Sequence, residues 1–218
     1  DAWTRRLNDR LSAVFEREVA AFPVVSGTAA NALSLAVLAP PYGSIYVHDA
    51  SHANTDECGA PEFYTGGAKL VSLPGAHGKI DRQELARRLE VAPRGVHWAP
   101  RAAISISQVS EAGTVFQAEE VAALGALAKA HGLRLHMDGP RFANALVATG
   151  ATPAELTWRA GVDVLSFAAT KNGAFAAEAV IAFDPALAEA LAYRRKRGGH
   201  LLSKARLIAA QLEAYLAE

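Results

Sequence analysis

The chain has 218 residues, 51% of them hydrophobic and 20% charged, the balance of a globular protein with room for one sizeable core. Lys plus Arg and Asp plus Glu number 22 each, so the net charge is zero and no global field draws the chain to nucleic acid or an anionic membrane. The single cysteine, Cys58, excludes an internal disulfide framework and a multi-cysteine zinc site and suits a reducing cytoplasm. No apolar run approaches the ~20 residues of a membrane span.

Residues 3–20 read as a helix. Short β-rich runs follow at 22–25 (FPVV), 45–48 (IYVH), 69–73 (KLVSL), 102–107 (AAISIS), 133–137 (LRLHM), 162–167 (VDVLSF) and 179–183 (AVIAF). They alternate with amphipathic helical stretches, which predicts an α/β fold: a mostly parallel seven-stranded sheet with helices on both faces. Asp81 with Glu84 spells a capping box, and Thr152-Pro153 with Glu155 spells a second start with proline at the first helical position. Gly132 ends the helix of "QAEEVAALGALAKAH". Residues 185–217 read as one or two Ala- and Leu-rich helices, interrupted by the basic "YRRKRGGH". With no internal repeat or Ser/Pro linker, the whole chain reads as one domain.

In open α/β sheets ligands bind beyond the carboxyl ends of the strands, so the residues that follow each strand define the candidate site. They are Ser26-Gly27-Thr28-Ala29, then His48, Asp49 and His52, then Gln108 and Ser110, then Asp138 with Arg141, and finally Thr170 with Lys171. Asp138 stands out because folding alone gives no reason to end a buried strand on a charge. "SGTAANALSLAVL" turns a strand into an apolar helix whose free N–H groups suit a phosphate, although Ser-Gly-Thr is equally a plain helix cap. It is neither a Walker pattern nor G-x-G-x-x-G. "VDVLSFAATKNG" puts Lys171 just past a buried strand, where loss of water would leave its amine free to act as a nucleophile; lone lysines after strands are more often simply solvated. A lysine, a carboxylate and a phosphate cup on one sheet edge together suit pyridoxal 5'-phosphate: Schiff-base lysine, pyridine-nitrogen partner and phosphate holder. "HMD" at 136–138 lacks a third ligand at metal spacing, and no catalytic metal is expected.

"SGTAAN", "HANTDECGAPEF", "HMDGPRFANA" and "DVLSFAATKNG" occur in the order found in the low-specificity L-threonine aldolase group of the β-eliminating lyase family, and almost the whole chain resembles that group. The resemblance implies the large domain of a fold type I pyridoxal phosphate enzyme, of the aspartate aminotransferase type. It implies an aldehyde-lyase that cleaves β-hydroxy-α-amino acids such as threonine, allo-threonine or phenylserine to glycine and an aldehyde. Carried over by position, Lys171 is the Schiff-base lysine, Asp138 the partner of the pyridine nitrogen, and His52 the residue stacked on the ring. Gly27, Thr28 and Ala29 hold the phosphate, Thr170 adjoins the lysine, Arg141 binds the substrate carboxylate or the cofactor, and Glu57 lies near the substrate hydroxyl.

The resemblance also implies a homodimer or homotetramer with its active site at a subunit interface, to which Arg197 or Lys204 of the basic run could reach. Two positions depart from the family pattern. No histidine stands near Val109 in "SQVSEAGT", which leaves the β-hydroxyl proton to His52 or to water held by Glu57. Pro140 replaces an alanine, which the first turn of a helix tolerates. Family members also extend further at both ends, so residues 1–218 are expected to be the cofactor-binding large domain without its N-terminal segment and C-terminal small domain. Two alternatives stay open: another pyridoxal phosphate lyase or racemase reaction on a small amino acid, and a non-catalytic cofactor-binding or interaction domain.

Overall fold

The structure, a computed structural model, describes residues 1–92 and 94–217. All seven expected strands form: β1 (Ala20–Val24), β2 (Ser44–His48), β3 (Lys69–Leu73), β4 (Arg101–Ser107), β5 (Arg134–Gly139), β6 (Val164–Ala168) and β7 (Glu178–Ala182). They make one sheet in the order β1-β7-β6-β5-β4-β2-β3. Only β7 runs against its neighbours, β1 and β6. The remaining pairs are parallel. Because β7 reverses between them, β1 points the same way as β6. The carboxyl ends of β1, β5 and β6 therefore share one edge.

The helices are α1 (Ala2–Val14), α2 (Gly27–Leu38), α3 (His52–Thr55), α4 (Ala60–Thr65), α5 (Arg82–Glu90), α6 (Ala118–Ala130), α7 (Phe142–Thr149), α8 (Ala188–Arg197) and α9 (Arg206–Tyr215). They cover both faces. One core joins Leu7 and Leu11 of α1, Leu85 of α5, Leu124 of α6, Phe142 of α7 and Leu212 of α9 to one side of the sheet. The other joins α2 and Leu191 of α8 to the opposite side. Alternation along the strands divides the two: Leu135 and Met137 of β5 enter the first core, so His136 and Asp138 face α2. Helix α2 is buried on nearly every side, as suits a helix packed between the sheet and α4 and α8.

Several expected boundaries shift. The first helix stops at Val14 rather than residue 20, because Glu16 turns to φ 55° and the chain then enters β1. Asp81 caps α5 through the Gln83 and Glu84 N–H groups, but Glu84 turns outward to Arg87 and Arg88, so no reciprocal box forms. Thr152 and Glu155 do exchange both box bonds, at 2.8 and 3.2 Å, yet they cap only a turn that passes into a 3₁₀ segment at Trp158–Ala160. The interruption expected within "YRRKRGGH" falls in its second part, and residues 193–197 are still helical. Those five residues are the last half of α8, where cations meet the negative helix end, and the break falls at Gly198 and Gly199 of the same run. Pro140 lies in the turn before α7, outside the helix.

Helix α6 passes so close to the segment at 158–161 that a Cβ on Gly125 would lie 2.1 Å from the Ala160 carbonyl oxygen. Helix propensity alone favours Gly125→Ala by about 1 kcal/mol. The backbone clash opposes this, and overpacking of this kind costs roughly 1–3 kcal/mol. We therefore expect Gly125→Ala to lower the urea midpoint of unfolding; a raised midpoint would show that the contact yields easily.

Candidate active site

A cavity of about 220 Å³ opens where the start of α2 meets the ends of β5 and β6. Gly27, Thr28, His52, Asp138 and Lys171 line it, all expected from the sequence, together with Asn31, Pro140 and Glu178. Ser26 caps α2 and takes the Ala29 N–H onto its Oγ at 3.2 Å. The Ala29 amide is thus committed within the cap. Among the described residues the Gly27 and Thr28 N–H groups have no acceptor, and a Cβ on Gly27 would meet nothing within 4 Å. The positive helix end is open to an anion.

At the other side, Asp138 ends β5 beneath α2 and is only 4% exposed. Burial, then the nearby Glu57 carboxylate, pushes its carboxyl up to about 7; Asn31 and His52 act the other way. Glu57 lies behind the cavity wall, its side chain fully buried. Its Oε1 accepts from Asn31 Nδ2 at 2.8 Å and lies 2.9 Å from His52 Nδ1, while Oε2 has no partner among the described residues. Desolvation raises the Glu57 carboxyl above its usual range, against the bonds from Asn31 and His52. Since Asn31 can only donate through Nδ2, an ionised Glu57 draws the His52 proton to Nδ1 and leaves Nε2 as the bare nitrogen of a ring about one third exposed.

Lys171 follows β6 in a 3₁₀ turn, Thr170–Asn172. It borders the cavity but is exposed, contrary to the buried setting expected, because nothing among the described residues covers that edge of the sheet. Thr170 does not line the cavity; its hydroxyl accepts from the Ala177 N–H at 3.0 Å and closes the loop into β7. Arg141 follows the cavity-lining Pro140 without lining the cavity itself, its Nη1 enclosed and without a partner among the described residues.

Two residues escaped the sequence reading. Asn31 stands within "SGTAAN", a lone amide in an otherwise apolar helix. Glu178 opens the apolar run "EAVIAF", opposite Val24 of β1 and Ala168 of β6, which places it between the anion cup and Lys171. Burial raises the Glu178 carboxyl, opposed by Thr170 and by the charge of Lys171. Both are polar residues in apolar surroundings, the same signal that singled out Asp138. A wider groove of about 690 Å³ at the opposite edge of the sheet holds none of these groups, and Arg134 there is paired with Asp163 at 2.7 Å.

A sheet of this order, with a lysine, a carboxylate and a helix amino end at one edge, defines the large-domain architecture of pyridoxal phosphate enzymes. The chain belongs to the β-eliminating lyase family, whose model matches residues 1–216. It is 42% identical over 210 residues to a low-specificity L-threonine aldolase of Pseudomonas sp. strain NCIMB 10558, covering 96% of this chain and 60% of the relative. The same enzyme of Pseudomonas aeruginosa matches with the same identity and coverage. The solved structure of Leishmania major threonine aldolase superposes with a TM-score of 0.90 at 28% identity, covering all of this chain and 62% of that one. The chain thus spans about 60% of the length of these relatives.

The buried Asp138 has a thermodynamic consequence. Between about pH 4 and 7 the folded protein keeps a proton on Asp138 that the unfolded chain has released, so stability falls as pH rises through this window. In cofactor-free protein, Asp138→Asn should stabilise by roughly 2–4 kcal/mol at pH 8, with the gain fading towards pH 4. Thermal unfolding of both proteins across this range checks it; a gain that grows on acidification would refute the assignment.

Proposed function

We propose that this chain is the pyridoxal 5'-phosphate-binding large domain of an aldehyde-lyase that cleaves β-hydroxy-α-amino acids of the threonine, allo-threonine or phenylserine type to glycine and an aldehyde. The observation that carries this reading is the meeting of Lys171, Asp138, His52 and the open start of α2 on one cavity. The residues fit the cofactor. The Gly27 and Thr28 amides would hold its phosphate, Asp138 the pyridine nitrogen and Lys171 its aldehyde carbon, with His52 against the ring. A cation beside Asp138 would offset the cost of its buried charge, which Asn31 and His52 offset only in part.

When bound, the cofactor supplies an electron-withdrawing ring that accepts the electron pair freed at the substrate's Cα. This chain's residues do the rest. Asp138 would hold the proton of the pyridine nitrogen, and Arg141, its Nη1 enclosed and without a partner among the described residues, would take a carboxylate. Glu57 orients His52 so that Nε2 can take the proton of a β-hydroxyl, a role open to it because the loop "SQVSEAGT" carries no histidine. Ala29 and Thr170, whose polar groups are engaged locally, are left to shape the cup and hold the lysine loop.

The 42% identity to two enzymes described as threonine aldolases supports this reaction over β-elimination or racemisation. We also propose a homodimer or homotetramer with the site at a subunit interface, and a cytoplasmic setting. The exposed Phe63, Tyr193, Leu201 and Leu202 support the first, and the unpaired Cys58 suits the second. Among the described residues, no helix is long and apolar enough to cross a membrane.

Lys171→Ala should abolish turnover and the visible absorbance of the cofactor-loaded protein. The unaltered protein should release glycine and an aldehyde from threonine or phenylserine. Pyruvate and ammonia as products, or a variant that keeps both colour and turnover, would overturn the proposal.

A further inference from the structure

Four buried polar side chains beneath the cavity have no part in the reading above. Ser105 of β4, His136 of β5 and Ser166 of β6 lie on the sheet face that meets α2, and Ser34 of α2 faces them; none is more than 4% exposed. Their contacts run in one unbroken line. Ser105 Oγ lies 2.8 Å from His136 Nδ1, His136 Nε2 lies 2.9 Å from Ser166 Oγ, and Ser166 Oγ lies 3.3 Å from Ser34 Oγ. Ser34 Oγ ends the line by donating to the Ala30 carbonyl at 2.7 Å.

The last bond sets the direction of every proton before it. A carbonyl only accepts, so the single hydroxyl proton of Ser34 is committed to Ala30, and Ser34 Oγ must accept from Ser166. Ser166, its own proton so used, accepts from His136 and requires the imidazole proton on Nε2. The bare Nδ1 then accepts from Ser105. Complete burial keeps the ring neutral, pushing His136 down to about 3, so no second proton reverses the order.

Helix α2 needs such a tie. Its apolar contacts with the sheet are non-directional and leave its rotation and sliding weakly specified. Among the described residues two of its side chains bond outside the helix, Asn31 to Glu57 and Ser34 to Ser166, and Asn31 also acts on Asp138 at the sheet edge, so Ser34 is the tie within the body of the sheet. The start of α2 carries Gly27 and Thr28, while Asp138 lies two residues beyond His136 on the same face of β5. The register of α2 on β5 and β6 therefore sets the span between anion cup and carboxylate.

We propose that Ser105, His136, Ser166 and Ser34 form a one-way hydrogen-bond chain that registers α2 on the sheet, making His136 and Ser34 positioning residues for the phosphate cup. The inference rests on the cofactor reading of the site. Its test compares pyridoxal 5'-phosphate with pyridoxal, which lacks the phosphate, in binding to intact cofactor-free protein and its Ser34→Ala variant. Losing the tie should weaken binding of the phosphorylated form on the order of fivefold to tenfold, the worth of about one hydrogen bond, and leave pyridoxal within about twofold. Equal losses for both compounds, or no loss, would overturn the positioning role. Unaltered protein that binds neither compound would instead overturn the cofactor reading, and this role with it. Nitrogen-15 spectra of the imidazole rings need no variant: a neutral His136 protonated on Nε2 supports the chain, and a proton on Nδ1 refutes it.

Discussion

The constraint on which the site depends is the burial of Asp138. The strand delivers a carboxylate into a slot roofed by α2, with a second buried acid, Glu57, close enough to raise it further. Two neutral-capable groups, Asn31 and His52, relieve it only in part. A site of this kind stores unfavourable electrostatics that a cation of the right shape can discharge, and binding that cation ionises the acid where its charge is wanted. The exposed Lys171 and the uncapped amides of α2 complete the same demand. Each would be satisfied by a planar, anionic, aldehyde-bearing ring with a protonated nitrogen.

Topology gathers these groups from distant parts of the chain. The single antiparallel strand, β7, lies between β1 and β6, so both end at the edge where β7 begins. That reversal sets Ser26–Thr28, Thr170–Lys171 and Glu178 side by side, though about 140 residues separate the first pair in sequence. The next strand beyond β6, parallel to it, is β5, which adds Asp138. The apolar alternation that fills the two cores decides which face each polar residue takes: Leu135 and Met137 anchor one side, and His136 and Asp138 have only the other.

The same face shows how a helix buried on nearly every side keeps its place. Apolar packing supplies the attraction between α2 and the sheet, but directional bonds through fully buried groups specify one arrangement among several of similar packing energy. The line from Ser105 to Ala30 is satisfied at every atom it uses, so it specifies register without leaving a desolvated group unpaired.

Much was legible in local pattern. Strand period, the Gly132 stop and the seven-strand α/β class follow from residues that interact with near neighbours, and Asp138 was conspicuous because a charge interrupts an apolar run. Helix ends were less legible: Glu16 adopts a positive φ that its residue type disfavours, and within "YRRKRGGH" the basic residues stay helical up to the two glycines. The exposure of Lys171, the engagement of the Ala29 amide and the Thr170 hydroxyl, and the parts played by Asn31 and Glu178 depend on contacts across the sheet edge. By itself the sequence determined which residue types each strand would deliver, because periodicity and turn chemistry are local. Only the tertiary structure decided which of them meet and how their protons are shared, because those distances arise from strand order and from one helix seated on the sheet.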